Sequence, residues 1–233
     1  MPPVVDWTRV LGLWGMAILT SARVRDRLAV GDALDRLWSE TSLPHGDSKE
    51  KPLRLIAELL AREGVPYALI GGVAIQLHTE EPRSTLDIDL AVPTYAHVPS
   101  AALLKAGFEH TGRHLHSDNW RAPGPEPRKR RTAVRFSAED AGIADAVAHA
   151  SVVDLEGGVQ LRVATAADLI VLKLLAAEEP KRRASKREHD IGDILALLEE
   201  HPELRSPEML ARLKSVRTLL LASSFDVSGS DDA

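Results

Sequence analysis

The stretch YALIGGVAIQLHTEEPRSTLDIDLAV, Tyr67 to Val92, ends one apolar run on two glycines and sets two aspartates, one residue apart, inside the next. In TLDIDLAV, period-two alternation sends Leu86, Ile88, Leu90 and Val92 to one face of a strand and Asp87 and Asp89 to the other. The apolar face suits a core. On the opposite face two carboxylates stand close together on a rigid support, where like-charge repulsion raises a pKa unless a cation sits between them. Aspartate is also a poor strand former, so finding two so close asks for a reason. A divalent ion such as magnesium supplies one, because it takes carboxylate oxygens together with substrate phosphate oxygens. The glycines fit the same chemistry. Gly71 and Gly72, read as a turn between the strand YALI and the helix VAIQLH, let backbone approach a ligand, and the helix offers amide donors and a positive dipole end to phosphates.

Working outward, LRLIAELLAREGV places Leu53, Ile56, Leu59 and Leu60 on one face of an amphipathic helix ending at Gly64. SAALLKAGF predicts a helix from Ser100, capped by that hydroxyl. His110 to Arg131 reads as a loop, TAVRFSA as a strand and GIADAVAHA as a helix. ASVVDLEGGVQLRVA reads as a hairpin turning at Gly157 and Gly158. TAADLIVLKLLAAEE opens on Thr165 with Asp168 three residues on, close to a capping box, and predicts a strong helix. A basic connection, PKRRASKREHD, leads to the helix IGDILALLEEH, and SPEMLARLKSVRTLLLA forms a last helix with Pro207 in its first turn.

These elements define an α/β (α+β) chain: a small mixed sheet with flanking helices, followed by a helical C-terminal part. The expected domains are a helical or partly disordered extension over 1–50, the core over 51–164, the helical part over 165–222, and a disordered acidic tail over 223–233. At 233 residues with 44% apolar content the chain can bury a substantial core. No cysteine is present, which excludes disulfides, thiolate zinc sites and cysteine nucleophiles. The net charge of −5 gives no global reason to expect nucleic-acid binding. The apolar segment VLGLWGMAILT is too short to span a bilayer and is preceded by Asp6 and Arg9 rather than by the positively charged region of a secretory signal, so a cytoplasmic protein with no membrane partner is expected.

The order strand, Gly-Gly, helix, then Asp-hydrophobic-Asp on the next strand resembles the signature of the DNA polymerase beta-like nucleotidyltransferase superfamily. The likeness extends to the AbiEii-like nucleotidyltransferase toxins of bacterial toxin–antitoxin systems through Lys173 in DLIVLKLL and Asp190 and Asp193 in KREHDIGDIL, and covers roughly Leu53 to Leu198. The resemblance implies a nucleotidyltransferase fold and a magnesium-dependent transfer of a nucleoside monophosphate from a nucleoside triphosphate to an acceptor hydroxyl on tRNA or a protein. It further implies that Gly71 and Gly72 cradle the triphosphate and Asp87 and Asp89 hold Mg2+. Lys173 would neutralise phosphate charge, and Asp190 would activate or position the acceptor. Arg83, just before the strand, is a further phosphate-contact candidate. A cognate antitoxin is the implied partner. Superfamily members usually carry a third carboxylate on a later strand, whereas the matching strand here, RTAVRFSA, carries Arg135 and no acid before Glu139 and Asp140. Asp154 and Asp190 are the other candidates.

Competing with this are a nucleotide- or partner-binding module that has kept the fold and lost catalysis, and a small-molecule (antibiotic) nucleotidyltransferase. A nucleic-acid-binding protein acting through the basic runs Arg128–Arg131 and Lys181–Arg187 is a third possibility. His110, His114 and His116 have spacing compatible with a metal, with no acid motif in support.

Overall fold

A computed structural model describes residues 19–42, 49–80, 85, 87–114, 116–155 and 158–224. In it the stretch that opens the sequence reading becomes β1 (Ala68–Ile70), helix α3 (Gly71–His78) and β2 (Asp87–Ala91), after helices α1 (Ser21–Ser42) and α2 (Glu50–Arg62). Then come α4 (Ser100–Lys105), β3 (Glu109–His114), β4 (Ser117–Arg121), β5 (Ala133–Ser137), α5 (Ile143–Ala148), β6 (Ser151–Asp154) and β7 (Gln160–Val163). Helices α6 (Ala166–Glu178), α7 (Ala184–Glu200) and α8 (Pro207–Ser224) complete the described chain. By contact the chain divides into two compact units: the described residues up to Leu169, and those from Ile170 on.

The first unit is built on a seven-stranded mixed sheet of order β3-β4-β5-β2-β1-β7-β6. β2 runs parallel to β5 and β1 parallel to β7, while the other neighbours are antiparallel. Alternation on β2, β4 and β5 buries Ile88, Leu90, Trp120, Val134 and Phe136, each at most 2% exposed, and leaves the residues between them half-exposed. This is the mixed α/β architecture expected from the sequence. Helix α2 lies against β7, α3 against β1 and β2, and α5 against β2. The β1–β7 pairing is tied by Tyr67: its hydroxyl accepts from the Arg162 amide at 3.2 Å, and Arg162 Nε donates to the Tyr67 carbonyl at 2.9 Å. Burial raises the pKa of the Tyr67 phenol above its ordinary value.

Helix α1 packs on α3. Gln76 Nε2 donates to the Arg27 carbonyl at 2.6 Å, and Gly31 is bare where a Cβ would lie 1.9 Å from that amide nitrogen. Arg23 and Arg27 reach the carbonyls of His78, the last residue of α3, and of Glu80 just past it, where carbonyls lack intrahelical partners. Residues 1–18, 43–48 and 225–233 lie outside the described residues, and with them most of the expected tail.

Several local expectations are corrected. Gly71 and Gly72 are the first two residues of α3 rather than a turn ahead of it. Ser100 does not cap α4; the capping position is Pro99, and the Ser100 hydroxyl donates to the Val98 carbonyl. The first part of the expected His110–Arg131 loop is instead the hairpin β3–β4, whose exposed edge strand is too polar to show an apolar alternation, and the loop is confined to 122–131. Helix α7 begins at Ala184, so much of the basic connection is helical. The capping box at α6 is present as expected: the Asp168 amide donates to Thr165 Oγ1 at 3.1 Å, and the Thr165 hydroxyl donates to Asp168 Oδ2 at 2.6 Å.

The second unit is helical. Helix α7 buries Ile191, Ile194, Leu197 and Leu198, and α8 buries Met209, Leu213 and Val216 at helical spacing. Arg212 makes a two-pronged ion pair with Glu178, Nε to Oε1 at 2.7 Å and Nη2 to Oε2 at 2.5 Å. Among the described residues no helix is long and apolar enough to cross a membrane.

Candidate active site

Strand β2 aims Asp87 and Asp89 away from the core, as the alternation requires, and both side chains are part-exposed, at 29% and 24%. The β1–α3 junction lies directly against Asp89. Gly71 has φ +68°, and a Cβ there would fall 2.3 Å from Asp89 Oδ2. Gly72 is held bare by Thr85, whose Oγ1 would lie 2.8 Å from an added Cβ. The two glycines are therefore required twice over: Gly71 by its left-handed backbone and by the carboxylate packed on it, and Gly72 by the chain entering β2. Replacing Gly71 with alanine is expected to cost roughly 1–3 kcal/mol and to displace Asp89, read as a lowered urea midpoint together with lost activity.

The cation between the two aspartates is Arg135. Its strand β5 is in parallel register with β2, Asp89 beside Arg135 and Asp87 beside Ala133. Arg135 Nη2 contacts Asp87 Oδ2, and Nε lies 3.0 Å from Asp89 Oδ1. Burial lowers the Arg135 pKa from its ordinary value, and an arginine starts high enough to stay charged.

None of the acids suggested as a third ligand in this unit reaches the pair. Asp154 ends β6, three strands from β2, and accepts from Gln160 at 3.2 Å. Glu139 and Asp140 follow the far end of β5, with Asp140 3.3 Å from His116 Nδ1 and Glu139 receiving the Tyr95 amide at 3.5 Å. Among the described residues no group of three or more His, Cys, Asp or Glu could hold a metal ion. His110 is instead bound to Asp118 at 2.6 Å. Two carboxylates on one strand face beside a glycine cradle still fit one hard divalent cation, because magnesium takes one or two carboxylates and completes its shell with phosphate and water. Arg83 lies outside the described residues.

A second polar cluster belongs to the helical unit. Lys173 Nζ is 2.9 Å from Asp190 Oδ1 and 2.7 Å from Asp193 Oδ2. Arg182 meets the other Asp190 oxygen at 2.6 Å through Nη2. Asp190 and Asp193 are 1% and 3% exposed, well inside α7 rather than in its first turn. Arg187, three residues before Asp190, donates to the carbonyls of Ala177 and Glu179 and closes the C-terminal end of α6. Sequence reasoning did not find the roles of Arg182 and Arg187; their basic run reads as a solvated face. Arg128 and Arg131 of the other basic run are paired with Glu109 at 2.9 and 2.5 Å.

A mixed sheet that sets a Gly-Gly helix start against a strand with two projecting aspartates is the framework of a nucleotidyltransferase-like fold. The family described as Nucleotidyl transferase AbiEii toxin, Type IV TA system, matches residues 54–227, and the chain belongs to this family of nucleotidyltransferases of toxin–antitoxin systems. Two solved structures are similar. One is an antigenic nucleotidyltransferase-like protein from Paracoccidioides brasiliensis, at 20% identity over 74% of this chain and 91% of that one, with a TM-score of 0.49. The other is JHP933 from Helicobacter pylori, at 18% identity over 75% of this chain and 78% of that one, with a TM-score of 0.50. No curated protein matches the chain.

Proposed function

We propose that the chain moves a nucleoside monophosphate from a nucleoside triphosphate to an acceptor hydroxyl, with Asp87 and Asp89 holding a magnesium ion. The observation that carries this proposal is the carboxylate pair standing on the part-exposed side of β2, with Asp89 against the bare backbone of Gly71. In the reaction the acceptor oxygen forms a bond to the α-phosphorus, the bond to the β-phosphate oxygen breaks, pyrophosphate leaves, and the acceptor proton is released to solvent. When bound, the ion draws charge from the phosphate oxygens and orients them. Asp87 and Asp89 fix its place, and the Gly71–Gly72 backbone admits the triphosphate beside it. On the sequence motif alone, Lys173 is assigned to phosphate charge and Asp190 to the acceptor.

The family favours tRNA or protein as acceptor, an antitoxin as partner and the cytoplasm as setting, and these belong to the same proposal. To test it, the chain is incubated with labelled triphosphates, magnesium and either total RNA or a protein extract. Label is expected in one fraction, dependent on magnesium and lost in Asp87→Asn/Asp89→Asn. Absence of transfer to every fraction, with no difference between wild type and variant, refutes it. Arg135 favours a second possibility, a nucleotide-binding module with weakened chemistry. Calorimetry separates the two: a catalytic site loses triphosphate affinity when magnesium is chelated, and a metal-independent module keeps it.

A further inference from the structure

We propose that Arg135 is the site's second cation, built into the sheet: it holds Asp87 and Asp89 in place before substrate arrives and faces the triphosphate once a single divalent ion is seated. This rests on the nucleotidyltransferase proposal above. Parallel register places residue 135 on the same face as Asp89, one strand away. An acid at that position would complete a three-carboxylate cage, and the chain supplies a guanidinium that touches both aspartates instead. Ala133, beside Asp87, is small enough to leave the arginine that path.

Charge then sets the number of ions. Two carboxylates and one guanidinium sum to −1, so one divalent ion leaves the site at +1, facing a polyanion. A second divalent ion would have no third carboxylate and would sit against Arg135, repelled at short range. The guanidinium has five N–H donors in a planar fork, more than two carboxylate contacts consume, and the side chain is 39% exposed, so donors remain for phosphate oxygens. Arg121, beside Ala133 on β4, is engaged elsewhere and donates to the Arg131 carbonyl at 2.9 Å.

The test titrates the full chain with Mn2+, a paramagnetic stand-in for magnesium, followed by electron paramagnetic resonance, with and without a non-hydrolysable triphosphate analogue. Wild type is expected to hold one ion per chain. Arg135→Gln frees the carboxylates, so Mn2+ alone binds about tenfold more tightly, whereas the analogue at saturating Mn2+ binds about tenfold more weakly. Arg135→Lys keeps the charge without the fork and recovers part of the analogue affinity. Because the freed carboxylates repel each other, the gain in Tm on adding Mn2+ is larger in Arg135→Gln than in wild type, which also checks that the variant is folded. Unchanged Mn2+ and analogue affinities in Arg135→Gln, with the ion still lost in Asp87→Asn/Asp89→Asn, overturn the role of Arg135 and leave the metal site standing. Mn2+ binding that is indifferent to both aspartates overturns the metal site itself.

Discussion

Asp89→Asn is expected to lower nucleotidyl transfer by at least about a hundredfold while leaving the fold intact, measured by label transfer alongside a urea melt. Asparagine keeps the volume that packs on Gly71 and removes only the negative charge, so the loss falls on the ion and not on the backbone. Arg135 retains Asp87 as a partner, and a part-exposed ion pair of this kind is worth about 1 kcal/mol or less, which bounds the change in stability. Near-normal transfer by this variant removes the carboxylate pair from the chemistry.

The largest effect on stability is expected at Lys173. Lys173→Met keeps the apolar stem but takes the ammonium from two buried carboxylates that it meets at 2.9 and 2.7 Å. Breaking a buried ion pair from one side costs about 3–5 kcal/mol, because the remaining charge stays desolvated. Arg182 still reaches Asp190 at 2.6 Å, so the expected loss lies near the lower end of that range, about 3 kcal/mol in urea unfolding. Adding Asp193→Asn should recover part of it, since the two changes touch one network and are not additive. A loss below about 0.5 kcal/mol, typical of an exposed pair, contradicts the buried network. Activity lost in Lys173 variants must therefore be read against their stability before any share is given to phosphate binding.

Local patterns made much of this visible in the sequence. Asp87 and Asp89 could be placed on the open face because two-residue periodicity is local and the alternate positions Ile88 and Leu90 are plainly apolar. The Thr165 and Asp168 cap was legible for the same reason. What stayed hidden depends on pairings between distant segments. Nothing near Arg135 in the chain shows that its strand lies parallel to β2 with Asp89 alongside. The missing acid could be read from the sequence, but the contact that replaces it could not. In α7 the run Ala184–Asp190 is mostly charged and polar, so it reads as a connection, and only the fold shows that Arg187, Asp190 and Asp193 turn inward. The β3–β4 hairpin was missed because its edge strand, Glu109–His114, is all polar apart from glycine and buries none of its residues.

The position of β1 in the sheet also carries a consequence in time. Its neighbours are β2, close by in sequence, and β7, whose Gln160 carbonyl receives the Tyr67 hydroxyl across 93 residues. A ribosome delivers Gly71, Asp87 and Asp89 early, before the strands that border them on either side, so the nascent chain carries its acids without the frame that aims them. On this topology the β1–β2 pair gains both of its outer neighbours, β5 and β7, only after translation has passed β7.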